Sequence, residues 1–288
     1  MNKLIETTLV ATMILRMYSA DVSAARLQNI YSYCAQVVTD NMRGPTPAEE
    51  YLLNRTNEQR AAEGAQPLAW SDVLGKTAYD HSAWLLANDQ FVHSPDLVGD
   101  VGRAGWEWRA GKYSFFENHG WGAPTTTNQQ ALAEQQFQGY LSSPEHHANM
   151  VNLNHEVFGA SIQTGEFAGN QDAHVSTEHF GYNERKPFLT GQVQTDKTGI
   201  GNNDGGKYDI GEGLGCVTIV AEDVATGQKI TTTSRDTGGY QMELNPTHTY
   251  KVTVGFDDPI QITMGVLNIE KDFLDPKLTA RAFINSHP

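Results

Sequence analysis

The feature that most restricts how this chain can fold is a change of pattern near residue 185. Up to Tyr182, a series of helix-start signals is followed by two strand candidates. Beyond Arg185-Lys186-Pro187 the helical periodicity fades, and short β-rich runs follow one another between turn residues. A chain of 288 residues is comfortable for two domains of ordinary size. The change therefore reads as a boundary between an α+β first domain and an all-β second one.

Within the first part, Thr46 stands before Pro47 with Glu49 three positions on, a capping box that starts a helix running to about Glu63. Gly64 ends it, and Pro67-Leu68-Ala69-Trp70 links it to a second helix capped by Ser71. Leu74, Ala78, His81 and Leu85 follow there at three- and four-residue steps. His81 on that stripe reads as a buried, hydrogen-bonded structural histidine. Residues 87–128 are irregular but rich in glycine and aromatics, which predicts a stretch folded over a core and lining a cleft. A helix is expected over 128–141, and strands over Val157–Gln163 and His174–Tyr182.

Ser143-Pro144-Glu145-His146-His147-Ala148-Asn149-Met150 is another helix start, with Ser143 as the expected cap and proline where a missing N–H costs nothing. His146 falls in the first turn, where the helix dipole disfavours an imidazolium. A neutral imidazole ligates a metal or accepts a proton, given partners from elsewhere. The candidates are His93 in Phe91-Val92-His93-Ser94 and Glu117 in Phe116-Glu117-Asn118. Two imidazoles and a carboxylate suit Zn²⁺, with water or a fourth ligand completing the tetrahedron. The same three groups also suit a substrate, a proton or a hydrogen-bonded polar cluster. His119, His147, His155, His174 and His179 read as surface or structural residues. Glu178 and His179 must point to opposite faces of their strand. There is no nucleophile pattern, no HExxH helix and no phosphate-binding glycine loop.

The formal net charge of −14 disfavours nucleic acid and bare anionic membrane as partners. Cys34 and Cys216, the two cysteines present, allow one long-range disulfide and exclude a disulfide scaffold. Residues 20–39 have apolar positions at helical spacing. Lys3, the apolar run Leu9 to Leu15 and Val22-Ser23-Ala24 faintly suggest an export signal, interrupted by Glu6 and Arg16. The run is far too short for a transmembrane segment. Residues 1–45 are thus read as a helical segment, either a degenerate export signal or an amphipathic helix.

Residues 48–183 resemble a CAP domain, also called SCP or pathogenesis-related-1-like. The resemblance rests on Leu53-Asn54-Arg55-Thr56-Asn57-Glu58-Gln59-Arg60, Pro67-Leu68-Ala69-Trp70, Phe91-Val92-His93-Ser94, Glu117-Asn118, Ser143 to Met150, Phe158-Gly159-Ala160 and Phe180-Gly181, in this order. It implies an α-β-α sandwich over 46–185 whose cleft holds His93, Glu117 and His146 around a divalent metal. Phe116 and His147 depart from the family pattern, and Glu134 is a doubtful stand-in for a second family glutamate. The resemblance further implies a secreted or cell-surface protein that binds a lipid, a peptide or a surface ligand. Metal-assisted peptidase or other hydrolase activity, and a structural or adhesive role, are the alternatives.

Residues 186–270 are expected to form an antiparallel β-sandwich, with 271–288 an extension of unassigned fold. This part resembles bacterial B-type or carboxypeptidase-regulatory-like modules. Within Asn202-Asn203-Asp204-Gly205-Gly206-Lys207-Tyr208-Asp209-Ile210-Gly211-Glu212, the oxygens of Asn202, Asp204, Asp209 and Glu212 are hard ligands suited to Ca²⁺. Their register is imperfect, and an ordinary solvated turn is the competing reading.

Overall fold

A computed structural model describes residues 44–108, 112–123, 126–183, 186–196 and 206–278. The N-terminal segment with its export-signal and helix readings, Cys34, Asn202 and Asp204 lie outside these residues.

The first region runs α1 (Pro47–Ala62), β1 (Ala69–Trp70), α2 (Asp72–Asn88), α3 (Leu97–Arg103), β2 (Tyr113–Gly122), α4 (Gln129–Ser142), α5 (Pro144–Met150), β3 (Val157–Phe167) and β4 (Asn170–Asn183). The capping box forms as its sequence dictates: Thr46 N–H donates to Glu49 Oε2 at 2.8 Å and Glu49 N–H to Thr46 Oγ1 at 3.4 Å. Ser71 likewise caps α2 through Leu74 N–H. Ser143 does not cap α5 with its side chain. It is the single residue between α4 and α5, and its backbone serves both: its N–H reaches Tyr140 O at 3.2 Å while its carbonyl accepts from His147 N–H at 2.8 Å.

Four strands form one sheet in the order β1-β3-β4-β2, with β4 antiparallel to both long neighbours. Strand alternation sends side chains to two separate cores. Phe158, Ala160 and Phe180 pack with Leu52 and Leu53 of α1 and Phe137 and Tyr140 of α4. Val157 packs instead with Val73 and Leu74 of α2 and with Val101 and Trp106. Gly159 is needed for this second contact, because a Cβ there would lie 2.1 Å from Gly75 N and 2.2 Å from Leu74 C. Arg60 is fully buried and holds the chain after α5 in place, donating to Gln66 O (2.7 Å), Met150 O (2.6 Å), Asn152 O (3.1 Å) and His155 O (3.2 Å).

The second region contains β5 (Phe188–Gln194), β6 (Thr218–Asp223), β7 (Lys229–Thr233), β8 (Gly239–Glu243), β9 (Thr249–Val254), β10 (Ile260–Thr263), β11 (Ile269–Glu270) and β12 (Phe273–Leu274). One sheet has the order β10-β9-β6-β7; in the other, β5 pairs with β8, β11 and β12. Leu189 and Val193 of β5, Ile219 and Ala221 of β6, Tyr240 and Met242 of β8, and Tyr250 and Val252 of β9 share a single apolar core.

Two expectations need correction here. The second region is not wholly antiparallel, because β11 and β12 both run parallel to β5. The free edge of β5, left open by β8, is covered by the returning chain, so the segment read as an unassigned extension begins inside the sheet. Between the two short strands the carboxylate of Asp272 replaces a backbone acceptor, taking Gln192 N–H at 2.7 Å. Gly191, at φ 148°, allows this approach, since a Cβ would meet Lys271 O at 2.4 Å.

The two regions are joined through a buried carboxylate. Glu50 of α1 accepts from Gln192 Nε2 (2.6 Å), Thr237 Oγ1 (2.8 Å) and Arg235 (Nη2 to Oε2, 3.2 Å).

Candidate metal centre and its flanking clefts

The centre grows from strand register. In β2, Glu117 and His119 are two residues apart and face the same side. Their cross-strand partners in β4 are His179 and Thr177. α2 lies over that face and fixes it: Thr77 Oγ1 bonds His179 Nδ1 at 2.8 Å, and Ser82 Oγ donates to Thr177 Oγ1 at 2.9 Å. The loop after α2 brings in His93, whose Nδ1 lies 2.7 Å from Glu117 Oε1, while Ser94 N–H donates to the same oxygen at 3.0 Å. Glu117 Oε2 takes His179 Nε2 at 2.9 Å. A carboxylate only accepts, so the ring nitrogens that bond it carry their protons toward it.

These contacts set the charge. Burial pushes the Glu117 carboxyl up, but the His179 hydrogen bond and the nearby His179 and His81 charges, with the Ser94 amide, outweigh it and hold it at about 2. Burial, reinforced by His93, lowers His119 to about 4. Burial also lowers His146 and His81. An ionised carboxylate therefore sits beside an uncharged imidazole.

Candidate ligand atoms of His93, Glu117 and His119 all lie within 4.8 Å of one another. The structure brings His93 and Glu117 together, and the third member of the group is His119. His146 lines a neighbouring cleft of about 450 Å³ together with His119, Tyr140 and Trp121. Its ring packs edge-on against Tyr140 at 5.4 Å, and its carbonyl accepts from Asn118 Nδ2 at 3.1 Å.

His81, read from the sequence as a hydrogen-bonded structural histidine, makes such a bond and also borders the centre. Its Nε2 is 3.0 Å from Val92 O and 3.6 Å from Glu117 Oε2. His179 belongs to the centre, whereas Glu178 points into the opposite core, where Asn118 Nδ2 donates to it at 2.9 Å. His155 is a packing residue, bonded to Asn149 O at 3.0 Å and stacked on Phe180. His147 pairs with Glu63 on the surface. The signal that would have found His119 is its two-residue spacing from Glu117 once 113–122 is read as a strand.

Glu134 does not join the centre; it bonds Tyr51 and Arg55 of α1. In the proposed calcium loop, Asp209 is bonded by Gln130 Nε2 of α4, and its N–H donates to Glu212 Oε2 at 3.3 Å. Its two described carboxylates are thus engaged in docking the loop onto α4 and in closing a turn. Among the described residues, the three-membered group at His93 is the one cluster with metal-ligand spacing.

The sheet has α2 on one face and α1 and α4 on the other, and its edge strand β2 carries Glu117 and His119. Residues 53–180 match the family model of CAP, the cysteine-rich secretory protein family. Similar solved structures include an outer surface protein of Borrelia burgdorferi, with 19% identity and a TM-score of 0.36 over 46% of this chain and 91% of that one. An extracellular SCP-domain protein of Bacillus anthracis is 22% identical, with a TM-score of 0.35 over 49% of this chain and 45% of that one. A cysteine-rich secretory protein of Staphylococcus aureus is 18% identical, with a TM-score of 0.33 over 46% and 38%. The chain thus spans less than half the length of the last two. No curated protein matches it in sequence.

Proposed function

We propose that this is an extracellular or cell-surface CAP-domain binding protein whose His93–Glu117–His119 group holds a divalent cation beside the site for a lipid, peptide or surface ligand. The observation that carries the reading is the convergence of these three side chains within 4.8 Å. The donor set fits a metal. His119 Nδ1 is buried without a hydrogen-bond partner, Glu117 is held ionised, and His93, with Nδ1–H on Glu117, keeps the Nε2 lone pair for a ligand. Two imidazoles and a carboxylate favour zinc over calcium or magnesium, which take mainly oxygen. Bound there, zinc supplies a Lewis acid that polarises a ligand oxygen. His179 and Ser94 orient Glu117, and Thr77 orients His179.

The extracellular reading is supported by the secretory character of the family named by the match and by the disulfide-bonded state of Cys216. No helix among the described residues is long and apolar enough to cross a membrane.

Zinc content after dialysis, measured on the wild type and on His93→Ala, His119→Ala and His146→Ala, tests the metal reading. Equimolar zinc is expected in the wild type and His146→Ala, with loss in the other two. Wild-type zinc in His119→Ala, or loss confined to His146→Ala, overturns the assignment.

A further inference from the structure

Beside the centre, α2, α3 and the loop between them enclose a second cleft of about 650 Å³, well inside the roughly 300–1,000 Å³ typical of small-ligand pockets. His81, His93 and Ser94 form a wall common to the cleft and the centre. Ser94 links the two directly, since its N–H donates to Glu117 Oε1 at 3.0 Å and its Oγ–H to Asp100 Oδ2 at 2.7 Å.

The cleft has an aromatic plate. Trp84 is 43% exposed, and its ring lies parallel to that of His81, at 3° with centroids 6.3 Å apart. The charges around it are already paired: Lys76 Nζ with Asp80 Oδ2 at 2.5 Å, and Arg103 Nη2 with Asp100 Oδ1 at 2.5 Å. An ionic ligand would have to compete with these pairs. A fatty chain seated here would cover carboxylate and guanidinium groups without replacing their water. A molecule apolar on its ring faces and hydroxylated around its rim meets both kinds of surface.

We propose that this cleft binds a neutral saccharide of two or three pyranose rings, with Trp84 stacked on one ring and Asp80, Asp100 and Arg103 hydrogen-bonded to hydroxyls. The site is separate from the metal assignment: it depends on Trp84 and the paired charges, and His119 does not line it.

The test is calorimetric titration of the full chain with cellotriose, chitotriose and, as an apolar control, sodium decanoate. The proteins are wild type, Trp84→Ala and Trp84→Phe, each checked for folding by circular dichroism and titrated with and without a zinc chelator. At least one trisaccharide is expected to bind the wild type, and Trp84→Ala should weaken binding about tenfold or more. Trp84→Phe keeps a plate and retains most of the affinity. The wild type binds the sugar equally with and without chelator, so failure of the metal reading remains distinguishable from failure of this one. Absence of trisaccharide binding to the wild type, equal affinity in Trp84→Ala, or binding of decanoate in place of sugar overturns the proposal.

Discussion

Glu117 and Glu178 are both buried carboxylic acids on neighbouring strands of one sheet, yet their protonation is opposite. Glu117 faces α2 and is held at about 2; Glu178 faces α4 and is pushed up to about 8. Burial raises both. The difference lies in the donors each one finds. Glu117 accepts from His93, Ser94 and His179, two of them imidazoles. Glu178 is bonded by the neutral amide of Asn118, and its Oε1 has no partner among the described residues. One residue of strand register thus separates a charged, ligand-ready carboxylate from a protonated packing group.

The comparison predicts opposite slopes of stability against pH. Glu178 is raised in the folded state, so its contribution is complete below its free value of 4.5 and is lost as pH climbs toward about 8. Replacing it by Gln should remove that loss, stabilising the protein at pH 9 relative to the wild type by up to about 3–5 kcal/mol. Urea denaturation at pH 5 and pH 9 measures this. Glu270, which burial and Asp272 also push up to about 8, keeps its own share of the alkaline decline. An identical difference between the two pH values in wild type and Glu178→Gln would refute the assignment of a protonated Glu178.

Glu117 works the other way. Its folded value is depressed, so its stabilisation is present above 4.5 and disappears as pH falls toward about 2. With chelator present, Glu117→Gln should cost about 3 kcal/mol at pH 7 and progressively less in acid. A deficit that stays constant down to pH 3 would show lost packing and hydrogen bonds, and the proposed charge stabilisation would be wrong.

Much of the fold is legible in the sequence because its signals are local. The Thr46–Glu49 box, the Ser71 cap and the long strands at 157 and 170 need only nearby residues. β2 is hidden for a physical reason: Glu117, Asn118 and His119 are all buried, because helices cover both faces, so no apolar–polar alternation marks the strand. His93 and Glu117 are recognisable by motif. His119 and His179 are not, because their role depends on register against α2. His146 is equally conspicuous in sequence, but α5 turns its ring toward Tyr140 and the cleft of about 450 Å³. The parallel return of β11 and β12 depends on which edge of β5 the other strands leave free, and short runs carry no such information.

The smallest effect belongs to Asn118, on the Glu178 face of the sheet. Its Nδ2 donates to Glu178 Oε2 and to His146 O, and its Oδ1 accepts from Asn149 Nδ2 at 2.9 Å. While Glu178 is protonated, these are bonds between neutral groups, so Asn118→Ala should cost about 1–2 kcal/mol at pH 6. At pH 9 the same change removes the described donor to an ionised carboxylate, and the deficit should widen. In the double variant with Glu178→Gln the widening should vanish while the pH 6 cost remains. If it persists, the alkaline loss comes from another group, and the contrast between the two carboxylates does not govern this sheet.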